Sequence, residues 1–446
     1  MLNYLCHMLL TDLLTSSAVQ EFIQDAIKQK KDVLQVSSTL GKKYSFEERA
    51  AIMDYMALVP KFREKFGISY SKKGGGFLLC DRLALEQSTA QDIGRYKAEL
   101  WPSGPDTGTT VHDLCCGMGG DSFYLPHHLH VTGVDMDPDR LAMYRYNCQA
   151  MRGEGKTLQA DVRDLPEDEE GKNTDYFTID PARRAAEGEN QRDLTNLTPT
   201  FAEVLEIAKR YRGGMAKLPP GYPTGEIPQD TEIVYIGGHS DCRECLVLFG
   251  EMAKAPGTVR AVMVDKGGKL AAQWNAERDT AREVRDEAEQ RLFEENFQRE
   301  GRDRIYRTAS SKSDLPLGEI SKYLSEPTAV LVRSRLFGIA ALAHDPSAHL
   351  ISEGIAYVAS ETPLPAPGFT SFEIIDRCEL STGAVRAMLA AHGIGKLTLK
   401  LRGVKLDPDA EIRRLGAKGK ESATLFYTRA QGEKIAILAR HEAPNH

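Results

Sequence analysis

Between residue 111 and about residue 265 the chain alternates short apolar runs with helical stretches, the runs being TVHDLC, HVTGVD, KTLQAD, DYFTID, GGMAKL, EIVYIG and RAVMVD. Each run has the length of a strand, and most of the intervening stretches can hold a crossover helix. Strands joined by such crossovers lie parallel, and a parallel sheet needs helices over its faces. The alternation therefore commits this stretch to an α/β fold.

A chain of 446 residues exceeds what one core serves, so about two or three domains follow. Residues 1–105 read as an N-terminal helical region. SAVQEFIQDAIKQ and SFEERAAIMDYMALVPKFREKF place apolar residues three and four apart, and the second opens on Ser45 and Glu48 in capping-box spacing. Residues 106–270 form the α/β core, and residues 271–314 a charged helical connector. Within it, ERDTAREVRDEAEQRLFEENFQRE (277–300) holds nine acidic residues and five arginines without Pro or Gly, which predicts one long, mostly solvated helix. Residues 315–446 have α+β texture, with AVLVRSRLFG, FEIIDRCE, KLTLKLRG, ATLFYTR and KIAILAR as strand candidates.

Several function classes fall away early. No stretch reaches the roughly 18 apolar residues of a membrane helix. The opening MLNYLCHMLL lacks the basic start and small-residue site of an export signal, so a cytoplasmic protein without membrane partners is expected. Eight cysteines, irregularly spaced, suit reduced thiols. Cys242 and Cys245, with His239 before them, offer at most three metal ligands, and CRECLVLFGEM reads as a helix, so no metal is expected. The net charge of −7 gives no general nucleic-acid footprint, and any basic surface must be local.

HDLCCGMGGD (112–121) follows a strand and is expected to open a helix. Its glycines at 117, 119 and 120 miss the G-x-G-x-x-G spacing that holds a pyrophosphate, and it lacks the Lys-Ser/Thr of a P-loop. What remains is a glycine bend with Asp113 before it. VTGVDMDP then ends a second strand on Asp135, 22 positions later, where a carboxylate can accept from both hydroxyls of a ribose. Asp161, in LQADVRD, ends the third strand.

Glycine bend, ribose acid and third-strand acid, in this order, resemble the class I S-adenosylmethionine-dependent methyltransferases. The resemblance implies a Rossmann-like seven-stranded core with S-adenosylmethionine as cofactor and S-adenosylhomocysteine as product. It implies that Asp113, Cys115, Gly117 and Gly119 lie under the methionine part, Asp135 and Met136 at the ribose, and Asp161 and Val162 at the adenine. It also accounts for the missing pyrophosphate pattern, since this cofactor carries no phosphate and its sulfonium favours carboxylates.

YFTIDPARRA (176–185) ends the fourth strand candidate, which puts Asp180 in the crevice of a parallel sheet. Asp180-Pro181 resembles the fourth motif of amino-methylating nucleic-acid methyltransferases, where the acid accepts from an exocyclic amine. Here Ala182 replaces the second Pro and no aromatic follows. Asp180, Pro181 and Arg183 are the candidate catalytic residues. Arg183 and Arg184 bring cations to the rim, and KLPPGY (217–222) adds Lys217 and Tyr222 as candidate substrate contacts.

RLALEQSTAQDIGRYKAEL (82–100), IDPARR and SEPTAVLVRSRLF (325–337) together resemble bacterial class I methyltransferases with a THUMP-like C-terminal domain, related in their core to enzymes that modify guanine amines in RNA. Between Lys396 and Lys420 eight Lys/Arg stand against three acids. Lys396 and Arg402, with Arg333 on a strand candidate, are the expected contacts to the phosphates of tRNA or rRNA. The expected activity is methyl transfer to a base amine in RNA, guanine N2 foremost. Methylation of a small molecule or protein, and a non-catalytic cofactor-binding RNA-binding or assembly protein, stay open as alternatives.

Overall fold

The computed structural model describes residues 12–68, 77–102, 108–165, 175–183, 194–278 and 315–442. The chain divides into two units, the first Met1–Leu218, Leu246–Lys254 and Val264–Lys269, the second Pro219–Cys245, Ala255–Met263 and Leu270–His446.

In the first unit the helices begin on capping residues. Ser16 caps α1 (Ser17–Lys28) and Asp32 caps α2 (Val33–Leu40). Ser45 and Glu48 form the expected reciprocal box on α3 (Phe46–Phe66), which Gly67 ends at φ 61°. Ile52, Tyr55, Val59, Phe62 and Phe66 make its buried stripe. Two short helices follow, α4 (Arg82–Gln87) and α5 (Gln91–Ala98).

The strands come next: β1 (Thr110–Leu114), β2 (His130–Asp135), β3 (Lys156–Gln159), β4 (Tyr176–Ile179), the short antiparallel pair β5 (Ala182–Arg183) and β6 (Leu197–Thr198), and β7 (Gly213–Leu218). Helices α6 (Pro138–Arg152) and α7 (Phe201–Ala208) supply crossovers. The order β3-β2-β1-β4-β7 is parallel throughout. Because β1 lies between β2 and β4, the chain direction across the sheet reverses there, which creates a crevice at the carboxyl ends. Register pairs Leu114 with Val134 and Ile179, and Ile179 with Ala216, so the residues after these positions emerge together.

The glycine bend does not open a full helix. It runs into a single 3-10 turn, Ser122–Tyr124, because the chain must turn at once toward β2. One hydrophobic core joins the N-terminal helices to this bend: Ile23, Ile52, Phe62 and Phe66 cluster with Met118, Phe123, Tyr144 and Cys148. The described N-terminal helices are thus packed onto the bend and α6.

In the second unit β8 (Glu232–Gly237) pairs in parallel with β10 (Thr258–Val264), and β11 (Leu270–Glu277) borders β10. Two local expectations are corrected here. Cys242–Gly250 is strand β9, not a helix, since a short buried apolar run has no periodicity that separates the two. The connector's first residues continue β11, and Arg278 is buried with its guanidinium on the carbonyls of Thr224, Ile227 and Pro228. Residues 279–314, with most of the expected charged helix, lie outside the described residues.

The smaller sheet has the order β13-β14-β12-β15-β18-β17-β16, made of β12 (Tyr323–Pro327), β13 (His349–Leu350), β14 (Val358–Ser360), β15 (Phe369–Glu379), β16 (Ile394–Leu401), β17 (Glu421–Ala430) and β18 (Glu433–His441). It is antiparallel except for β16 beside β17. AVLVRSRLF is not a strand: it forms α8 (Ala329–Arg333) and α9 (Phe337–Leu342), with Arg335 at φ 63° closing the first. Burial of Val330, Leu331, Ser334 and Phe337 follows a helical spacing that outweighs its β-branched residues. Helices α10 (Thr382–Ala391) and α11 (Pro408–Leu415) contribute Val385, Met388 and Leu415 to a core with Leu425 and Leu438.

Asn147 is fully buried on α6 and ties three segments together. Its amide accepts from the Leu79 N–H at 2.6 Å and donates to the carbonyls of Leu79 (2.8 Å) and Met118 (3.0 Å). Asn147→Ala leaves these buried groups unpaired and is expected to destabilise by roughly 2–4 kcal/mol, read from urea denaturation.

Candidate functional site

The site grows from the end of β1. Cys115, Gly117 and Gly119 take positive φ of 57°, 52° and 93°, turning the backbone twice within five residues. The two glycines serve different ends. A Cβ on Gly119 would lie 2.9 Å from Cys148 Sγ and 3.2 Å from Tyr144 Cδ2, so packing forbids it, whereas a Cβ on Gly117 would meet nothing within 4 Å. Gly117 faces open space, as a backbone cradle for a ligand must.

The three acids predicted at strand ends behave differently. Asp113 is buried and accepts from Ser122 Oγ at 2.6 Å, and that hydroxyl also meets Tyr144 OH at 2.9 Å. Burial, with Asp121 and Asp180 adding like charge, pushes its carboxyl well above the usual range. Asp135 accepts from the Gly117 N–H at 3.2 Å and the Asp137 N–H at 3.0 Å, so it links β2 to the bend. Met136, next to it, is 61% exposed. Asp161 is met by the Arg163 guanidinium and backbone N–H, which hold its carboxyl down to about 2, and Val162 is buried. Cys115 and Cys116 are held as neutral thiols by burial and by the surrounding carboxylates, which suits packing rather than attack.

Asp180 follows β4, and its carboxylate receives Lys217 Nζ at 2.7 Å. Pro181 is buried and Ala182–Arg183 pairs with β6. Arg183 is described only through its backbone, and Arg184 lies outside the described residues. Beneath this pair lies a charged group that sequence reading passes over. Lys97 of α5 makes a close ion pair with Asp121 of the bend, both largely buried, and Lys217 also reaches Thr89 Oγ1 at 3.3 Å. Burial alone would raise Asp121, but the Lys97 and Lys217 ammonium groups overcome it and bring its carboxyl down to about 2. No spacing rule links Lys97 or Thr89 to the bend, although Asp121 stands inside the motif itself.

The candidates of the second unit fare unevenly. Tyr222 is buried at the Pro219–Tyr222 turn, so its ring is not an open stacking surface. Arg333 is exposed, at the end of α8 and not on a strand. Lys396 is exposed on β16. Arg402 is half-buried, 3.6 Å from Glu326, over the Tyr357 ring, and donating to the Ala356 carbonyl, while Lys400 also pairs with Glu326. Part of the expected basic surface is therefore neutralised internally. Cys242 and Cys245 sit three apart on a strand, hence on opposite faces, and among the described residues no group of three His, Cys, Asp or Glu is placed for a metal. No helix among them is long and apolar enough to cross a membrane.

The Asp121 pair has a pH signature. Its folded value lies below the unfolded value of about 3.9, so the native state binds fewer protons in that window. The stability it contributes is present above about pH 4 and is lost as pH falls toward about 2. Lys97→Met is expected to lower stability at neutral pH by about 3 kcal/mol and to flatten the loss on acidification, read from urea midpoints across that limb.

Comparison with known proteins agrees with this architecture. Residues 111–181 match the family described as "Methyltransferase domain", and residues 369–441 match "THUMP domain-like". Two uncharacterized S-adenosylmethionine-dependent methyltransferases of Mycobacterium tuberculosis, from strains CDC 1551 / Oshkosh and ATCC 25618 / H37Rv, are each 26% identical over 357 residues, covering 78% of this chain and 83% of the relative. The crystal structure of a candidate methyltransferase from Porphyromonas gingivalis W83 shares the fold, with TM-score 0.65 and 19% identity over 90% of this chain and 92% of that one. With the parallel order around β1, the glycine bend and the C-terminal match, the chain joins a methyltransferase domain to a THUMP-like C-terminal domain.

Proposed function

We propose that this protein methylates an exocyclic amine of a base in RNA, with guanine N2 as the foremost acceptor. The observation that carries the reading is Asp180: a carboxylate at the sheet's switch point, 35% exposed, held at 2.7 Å by a lysine and followed by a buried proline. A carboxylate so placed accepts an N–H from an amine and turns its lone pair toward the methyl donor. The exposed basic residues of the second unit, Lys396 on β16 and Lys418 and Lys420 before β17, favour a polyanionic substrate over a small molecule.

The residues of the bend fit the cofactor. Gly117 leaves room for its methionine part, Asp135 and the exposed Met136 suit a ribose, and Asp161 with Val162 suits an adenine. When bound, S-adenosylmethionine supplies a methyl group already activated as a sulfonium substituent. The chain's own work is positioning, since the reaction asks for little proton transfer. Asp180 orients the acceptor amine and supplies a carboxylate to take the proton it sheds. Pro181 has no N–H to compete for that carboxylate and stiffens the turn.

The test is incubation of purified protein with methyl-labelled S-adenosylmethionine and total RNA from a strain lacking the gene, followed by nucleoside analysis. Label is expected on a single nucleoside. Asp180→Ala should cut transfer by about 100-fold or more with cofactor affinity nearly unchanged, and Asp135→Ala should weaken cofactor binding by about ten-fold or more, read by calorimetry. Cofactor binding without any labelled nucleoside would remove RNA as the substrate.

A further inference from the structure

Lys217 is the last residue but one of β7 and stands beside Asp180, because Ile179 pairs with Ala216 in the parallel register. As a lysine at a crevice it invites assignment to a substrate phosphate. Its surroundings point elsewhere. An ammonium has three N–H donors, and three acceptors stand against this one: Asp180 Oδ2 at 2.7 Å, Thr89 Oγ1 at 3.3 Å and the Gln87 carbonyl at 3.4 Å. Its side chain is 15% exposed against 35% for Asp180, so the carboxylate is the more open partner of the two.

We propose that Lys217 is a positioning residue that orients the Asp180 carboxylate and keeps it ionised, and that Thr89 and Gln87, from the segment before the core, hold Lys217 in place. The proposal rests on the reading of Asp180 as the group that meets the acceptor amine. The charged and titratable groups facing the pair are Asp113 and Cys115 from β1 and its loop, Asp121 from the bend, and Lys97 from α5. Lys97 is engaged by Asp121. Removing Lys217 therefore leaves Asp180 among carboxylates with one neighbouring cation fewer, which raises its proton affinity and frees it to rotate. A protonated acid is a poorer acceptor for an amine N–H, and a rotated one points it away from the methyl donor.

Two measurements on the full chain separate this proposal from the proposed function. In protein carrying 13Cγ-labelled aspartate, the Asp180 resonance is identified by its loss in Asp180→Asn and followed from about pH 3 to about pH 8. Its protonation midpoint should lie about one unit or more higher in Lys217→Met than in the native protein, and close to the native midpoint in Lys217→Arg. An unmoved resonance in Lys217→Met overturns the proposal, whatever the RNA assay gives.

With RNA substrate, Lys217→Met should lower kcat about 100-fold with KM for RNA within about two-fold, and Lys217→Arg should recover most of the loss. A raised KM with unchanged kcat and a shallower salt dependence would make Lys217 a phosphate contact and overturn the proposal. If Lys217→Met does not fold, Thr89→Val serves in its place, with a loss in kcat of about five-fold expected and an unchanged kcat counting against the proposal. If the native protein transfers no methyl to RNA, the proposed function fails by itself, and the carboxylate titration still decides the role of Lys217.

Discussion

The parallel register of β3, β2, β1, β4 and β7 is the constraint on which the site depends. Parallel strands end on the same side, and the register brings the residues following Leu114, Val134, Ile179 and Ala216 to one edge. Asp135, the glycine bend, Asp180 and Lys217 come from positions spread over more than a hundred residues, yet each is the next residue of its strand or the first beyond it. Hydrogen bonds between neighbouring strands fix the spacing, and the reversal of direction at β1 opens the crevice. The chemistry of the individual side chains is secondary to that geometry.

Around this edge the protein concentrates charge where burial makes charge costly. Lys97, Lys217, Asp121 and Asp180 form two ion pairs close to the buried Asp113. The more buried of the two, Lys97–Asp121, is a weak contributor to net stability, because desolvation offsets most of the attraction. Both pairs set direction, since each ammonium is held against its carboxylate. The hydrophobic core beneath, shared by Phe62, Phe66, Phe123 and Tyr144, keeps the supporting backbone from relaxing. Asn147 closes the arrangement by tying the segment at Leu79 to the bend at Met118.

The second unit shows how a basic sequence segment and a basic surface differ. KLTLKLRGVK reads as a run of cations, but Lys400 and Arg402 share Glu326, and Arg414 forks onto Glu411. Glu326 lies on β12, about seventy residues before β16, so the sequence around Lys400 contains no sign of it. Lys396, Lys418 and Lys420 stay exposed.

The amino-acid sequence by itself determined most strands of the α/β core, the helix capped by Ser45 and the acids at the strand ends, because these depend on neighbours within a few residues. Period-two and period-3.6 burial, the Ser45–Glu48 box and the glycine bend are local properties. It was misleading where local signals are degenerate. The short apolar runs at CLVLF and AVLVR suit helix or strand equally, and only packing against distant strands decided between them. The tertiary structure alone decided that Tyr222 is buried, that Arg402 is paired, and that Thr89 and Lys97 stand beside the crevice. Each of those facts is a contact between segments far apart in the chain, and the electrostatics of the site follow from such contacts because charge acts through space and not along the backbone.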